Sequence, residues 1–129
     1  MAILLTPETR LVVQGITGRE GSFHTQAMLD YGTKIVGGTS VTRGGQKFLD
    51  LPVFFGVHDA VKETGANAAI SFIPAYQNAG DAIMEAADAG LELIICLTEG
   101  IPTLDMVKVV EFIKDKPTHL IGPNCPGVM

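Results

Sequence analysis

Tryptophan is absent from the 129-residue chain, cysteine occurs only twice, and charged residues make up just 18% of it. Two cysteines, one of them inside an apolar run, form neither a disulfide framework nor a metal-binding set, so no metal site is expected. That cysteine usage fits a reducing setting, the cytoplasm or, in a eukaryote, the mitochondrial matrix. No apolar run approaches the roughly 20 residues that cross a bilayer, so no membrane contact is expected. Met1–Pro7 carries no basic region, and no signal peptide is expected there. A basic surplus is missing too: nine lysines and arginines against fourteen acids leave a net charge of −5. That balance argues against nucleic acid as a partner.

What the chain does have is apolar bulk and turns, with 47% hydrophobic residues and 15 glycines. This composition suits one α/β domain over residues 1–129 with a sizeable core. The charge is unevenly spread. Residues 1–50 hold five of the nine bases (Arg10, Arg19, Lys34, Arg43, Lys47) against four acids, whereas the remainder holds four bases and ten acids. An anionic ligand would favour the first part.

That part also contains Gln14-Gly15-Ile16-Thr17-Gly18-Arg19-Glu20-Gly21. It follows the apolar run Leu11-Val12-Val13, read as a buried strand, and precedes Ser22–Tyr31, read as a helix with Phe23, Ala27 and Tyr31 on its apolar face. Strand, glycine loop and helix together make an anion site: the backbone can turn tightly, and the helix opens with unpaired N–H groups. The alternative is a tight turn whose glycines serve packing alone.

Strand and helix signals then alternate, which predicts a Rossmann-like parallel sheet with helices on both faces. Strands are expected at Lys34–Gly38, at Leu51–Phe55 (edge or near-edge because of Pro52), at Ala68–Ile73, at Leu91–Leu97 and at His119–Gly122. Leu91–Leu97 is the most apolar and should be central. Helices are expected at His58–Thr64, at about Gln77–Ala89 and after Thr103 as a cap. In the last of these, Leu104, Val107, Val110 and Ile113 should face inward and Lys108, Glu111 and Asp115 outward. Thr39–Asp50 reads as a loop. In such a sheet ligands sit beyond the carboxyl ends of the strands, so Gly15–Gly21, Thr39–Lys47, Pro74–Asn78, Leu97–Pro102 and Pro123–Gly127 should share one crevice.

The glycines are spaced Gly-x-x-Gly-x-x-Gly, and no acid ends the second strand to meet ribose hydroxyls, so NAD fits poorly. Arg43 and Lys47 follow instead. Cations there suit a phosphate near the ribose and leave NADP or coenzyme A as ligands. Among single residues, His24, His58 and His119 have no carboxylate partner at useful sequence spacing, so no catalytic residue is assigned. Cys96 reads as core, and Cys125, facing the crevice, as a turn residue with a reactive thiol as the alternative.

Four segments carry a more specific likeness: Gln14–Gly18, Tyr31–Gly38, Thr98–Met106 and Gly122–Gly127. With them the whole chain resembles the N-terminal domain of the succinyl-CoA synthetase α-subunit family. The resemblance implies a CoA-binding Rossmann-like domain of an acid–CoA ligase, ADP- or GDP-forming. It places CoA contacts at Thr17, Gly18, Arg19, Glu20, Arg43, Leu97, Thr98 and Glu99. It also implies a ligase β subunit as partner in an αβ or α2β2 assembly. Nucleotide and magnesium would be handled by that subunit and by a second, histidine-bearing domain that the 129 residues do not include. The chain alone is then expected to be inactive. The alternatives are a malate– or citrate–CoA ligase subunit, which shares the architecture, and a stand-alone, non-catalytic CoA-binding module. Two features depart from the family: Arg43 stands where lysine is usual, and Thr39-Ser40-Val41-Thr42 replaces a Pro-Gly-Lys approach.

Overall fold

β1 (Leu11–Gln14) is the middle strand of a seven-stranded sheet in the computed structural model, which describes residues 9–40, 42–74, 79–98 and 100–122. The chain continues through α1 (Arg19–Tyr31), β2 (Ile35–Thr39), β3 (Lys47–Phe48), β4 (Leu51–Phe54), α2 (Val57–Thr64) and β5 (Ala68–Ser71). It ends with α3 (Ala79–Asp88), β6 (Leu93–Cys96), α4 (Thr103–Ile113) and β7 (His119–Ile121). The strand order is β3-β4-β2-β1-β5-β6-β7, parallel except for the β3–β4 pair.

From β1 the chain moves one way to β2, and later crosses back to β5 on the other side of β1. Right-handed crossovers in opposite directions put their helices on opposite faces. Alternation along β1 records both faces. Val12 packs into a cluster with Val57, Ala60, Ile83, Ala86 and Val109 from α2, α3 and α4. Leu11 and Val13 point the other way, into a cluster that Met28 and Leu29 of α1 cover. Each fully buried valine, leucine or isoleucine among them contributes about 1.5–3 kcal/mol of transfer free energy. The expected parallel sheet with helices on both faces is present, one helix against three.

Several local expectations need correction. The central strand is β1, not Leu91–Leu97, whose ordered part β6 lies next to the β7 edge although all four of its residues are buried. Strand position is set by crossovers, which hydropathy does not encode. α1 begins at Arg19, so Arg19 and Glu20 belong to its first turn. Its Phe23–Ala27–Tyr31 face looks outward, with Phe23 70% and Tyr31 91% exposed. Its two buried residues are Gly21 and Thr25, with Met28 and Leu29 partly buried against the sheet, and Gly21 must be small because a Cβ there would overlap the Gly15 carbonyl. α4 is rotated in the same way. Val109 is buried and Met106 and Ile113 pack beside it, while Leu104 (75% exposed), Val107 and Val110 face outward. Thr103 is the first helical residue of α4 and not its cap; the N-cap position is Pro102.

The segment read as a loop over Thr39–Asp50 contains β3, which forms a two-residue hairpin with β4. Leu49 and Asp50 adopt φ of 51° and 64°, the mirror-image turn that matches strand twist. A Leu-Asp pair lacks the usual asparagine–glycine signal for it. Pro52 lies opposite Lys47, and β4 is second from the edge, as its proline requires. Gly32 and Gly65 end α1 and α2 in left-handed conformations, as read from sequence. Gln77 and Cys125 lie outside the described residues.

Candidate functional site

Pairing aligns Phe54, Thr39, Gln14, Ser71 and Cys96 in one row across the carboxyl ends of β4, β2, β1, β5 and β6. The loops leaving that row therefore emerge on the same sheet edge. The chain diverges to either side of β1 there, which is where open α/β sheets bind ligands.

The glycine loop is fixed by its own backbone. Gly15 (φ +79°) and Ile16 both donate N–H bonds to the Thr39 carbonyl, at 3.1 and 3.2 Å. Gly18 donates to the Gly15 carbonyl at 3.1 Å, and Ser22 donates to Gly18 at 2.8 Å as the first turn of α1 closes. Gly18 is the N-cap and supplies no side-chain cap. The amides of Arg19, Glu20 and Gly21 thus open the helix with no acceptor among the described residues. Dipole and amides together favour an anion at this point.

Thr17 joins this loop to the next one. Its hydroxyl donates to Ser40 Oγ at 3.1 Å, and Ser40 Oγ also accepts the backbone N–H of Arg43 at 3.1 Å. On the other side, Gly15 packs against Ile73, and the Ile73 carbonyl accepts the Thr98 hydroxyl at 2.6 Å. Four loops therefore adjoin, those after β1, β2, β5 and β6. Of the residues expected to bind, Gly18, Arg19, Glu20 and Arg43 are exposed, Thr17 and Leu97 half-buried, and Thr98 buried. Glu99 lies outside the described residues, as do Pro123–Gly127. Neither Arg19 nor Arg43 has a side-chain partner among the described residues, which leaves two guanidinium groups free for phosphate oxygens.

Two histidines do have carboxylate partners, contrary to the sequence reading. His24 Nε2 lies 3.5 Å from Glu20 one helical turn away, and its ring stacks on Phe72 at 5.1 Å between centroids. His58 Nε2 lies 2.9 Å from Asp88 Oδ2, joining α2 to α3. The second pairing spans 30 residues of sequence, so spacing could not reveal it. Both pairs are solvent-exposed, where such contacts contribute little stability. Cys96 is fully buried, as expected.

Sequence reasoning also missed two polar side chains behind the loops. Gln14 is fully buried and donates Nε2–H to the Ala82 carbonyl at 2.9 Å. Ser40 receives the bonds just described; its signal was a serine directly after a strand and three residues before an arginine. Among the described residues, no cluster of His, Cys, Asp and Glu could hold a metal ion, and no helix is long and apolar enough to cross a membrane.

The chain is 52% identical over 129 residues to a protein of Archaeoglobus fulgidus named succinate–CoA ligase [ADP-forming] subunit alpha 2, covering 100% of this chain and 45% of that protein. It is 53% identical over 131 residues to the corresponding alpha subunit of Aquifex aeolicus, covering 43% of it. The chain thus spans less than half the length of these curated relatives. Its fold superposes on a dinucleotide-forming acetyl-coenzyme A synthetase of Ca. Korarchaeum cryptofilum with a TM-score of 0.80 at 19% identity, covering 98% of this chain and 28% of that one. A family model described as CoA binding domain matches residues 6–100, and with the glycine loop, the uncapped helix and the arginines already in place, the chain belongs to the CoA-binding domain family.

Proposed function

We propose that this chain is the coenzyme A-holding domain of an acid–CoA ligase, of the ADP-forming succinate type that its relatives are named for. One observation carries the reading: three unpartnered amides open α1 where the chain diverges from β1, and the Thr17 hydroxyl ties that loop to the segment of Arg43, whose exposed guanidinium, like that of Arg19, has no partner among the described residues. That donor set fits a ligand with a diphosphate and a further phosphate on its ribose.

In this reading the unpartnered amides at Arg19, Glu20 and Gly21 hold the diphosphate, and Thr17 and Gly18 border it. The Glu20 carboxylate stays directed to His24, so its contribution comes from the backbone. Arg43 meets the ribose phosphate with its planar, two-pronged guanidinium. Leu97, Thr98 and Glu99 border the pantetheine arm. When bound, CoA supplies a thiol that attacks an acyl phosphate. The chain's own part is positional: it fixes where the ligand's far end projects, and none of its described side chains serves as acid or base.

Nucleotide, magnesium and the phosphorylated histidine then belong to a second domain and a β subunit, in the cytoplasm or a mitochondrial matrix. Titration calorimetry tests the reading. CoA binds with a measurable enthalpy and NAD does not, because no acid follows β2 to take the ribose hydroxyls. Equal binding of both ligands would refute the CoA assignment.

A further inference from the structure

The geometry points to Ser40 as the positioning residue that makes the glycine loop and the Arg43 segment a single ligand clamp, so that the ribose phosphate is discriminated only while the Ser40 hydroxyl is in place. This rests on the reading above, in which Arg43 meets that phosphate.

Ser40 directly follows β2 and is buried at 9% exposure. Its backbone N–H is anchored on the Phe54 carbonyl at 2.9 Å. Its Oγ is shared by two successive amides, Thr42 at 3.3 Å and Arg43 at 3.1 Å, the arrangement by which a serine closes a turn on itself. Turn closure alone would make Ser40 a local residue. The Thr17 hydroxyl, donating from 23 residues away at 3.1 Å, gives it a second role. One oxygen thus binds the backbone of Arg43 to the side chain that opens the glycine loop.

The far end of the Arg43 segment is fixed independently. Gly45 N–H bonds the Val53 carbonyl at 2.8 Å, and Val53 N–H bonds the Gln46 carbonyl at 2.9 Å. The Phe55 ring lies against Gly44 so closely that no Cβ would fit there. The guanidinium of Arg43 is exposed and unpartnered among the described residues, so only the position of its backbone determines where it can reach. Ser40 holds that position from the ligand side. Loss of the Ser40 hydroxyl leaves the Gly15 and Ile16 bonds to Thr39 intact, so the glycine loop stays on β2 while Arg43 loses its register with it.

The test measures dissociation constants for CoA and dephospho-CoA on the full chain and on Ser40→Ala, Ser40→Thr, Arg43→Ala and the Ser40→Ala/Arg43→Ala double variant. The wild type prefers CoA by about tenfold or more, the size of one charge-assisted contact. Ser40→Ala removes most of that preference with dephospho-CoA affinity within about twofold, Ser40→Thr keeps it, and the double variant is no worse than Arg43→Ala alone, as coupled residues require. An unchanged preference in Ser40→Ala, with the preference lost in Arg43→Ala, overturns the role of Ser40 and leaves the reading of Arg43 standing. A preference retained in Arg43→Ala overturns both. Equal weakening of the two ligands by Ser40→Ala makes it a turn residue only and also overturns the inference. Should Ser40→Ala not fold, amide exchange on the ligand-free wild type decides: slow exchange at Thr42 and Arg43 supports the clamp, and exchange at unprotected rates overturns it.

Discussion

The Cα of Gly21 lies against the carbonyl oxygen of Gly15, and a Cβ at Gly21 would overlap that oxygen. The same oxygen accepts the Gly18 amide, so it cannot move aside without opening the turn. The three glycines of the loop therefore do different work. Gly15 supplies the left-handed turn, Gly21 lets α1 dock onto it, and Gly18, exposed at the N-cap, faces the ligand side.

Gly21→Ala is expected to destabilise the fold by about 1–3 kcal/mol, lowering Tm by roughly 5–15 °C. Gly18→Ala places a Cβ 3.3 Å from the Gly15 oxygen, a contact that a small shift relieves. It should lower Tm less than Gly21→Ala does and weaken CoA more. Thermal melts and calorimetry on both variants check this; the reverse ranking would contradict the division of roles.

Arg43→Ala should weaken CoA by about 1.5–3 kcal/mol and dephospho-CoA by much less, since the lost contact is to the extra phosphate. Raising the salt concentration should narrow the wild-type preference, because the guanidinium is exposed and screened by ions. Calorimetry with both ligands at two ionic strengths measures this, and equal losses for the two ligands would remove Arg43 from the ribose-phosphate role.

The phase of α4 is testable by stability alone. Val109→Ala removes two buried methyl groups and should cost about 2 kcal/mol, while Leu104→Lys and Val107→Lys should stay within about 0.5 kcal/mol of the wild type. Denaturant titrations give the comparison. A large loss from Leu104→Lys would mean that this face is covered.

The chain by itself should form no acyl-CoA and no phosphohistidine when mixed with nucleotide, magnesium, CoA and succinate. His24 is stacked on Phe72 beside Glu20, and His58 is paired with Asp88. Mass spectrometry and a thioester assay check the outcome; phosphate on His24, His58 or His119 would make the chain catalytic in its own right.

What the amino-acid order determined alone was local. Glycine ends α1 and α2 where read, because a left-handed cap depends only on the residue that occupies it. The apolar runs that became β1, β5 and β6 are buried throughout, because burying them is favourable in any arrangement of neighbours. The missing acid after β2 and the arginine beyond it spoke for a phosphorylated ribose before any geometry was known.

Tertiary structure decided what depends on distant partners. β1 became central through crossovers running in both directions, and Phe23, Tyr31 and Leu104 turned outward because sheet contacts, not sequence period, choose a helix's inner face. The carboxylate partner of His58 comes from another helix. Ser40 reaches Thr17 only because β1 and β2 lie side by side in the sheet. Side chains that meet across such separations gain their contact only after the chain entropy between them has been lost. Only the folded sheet sets which of them do.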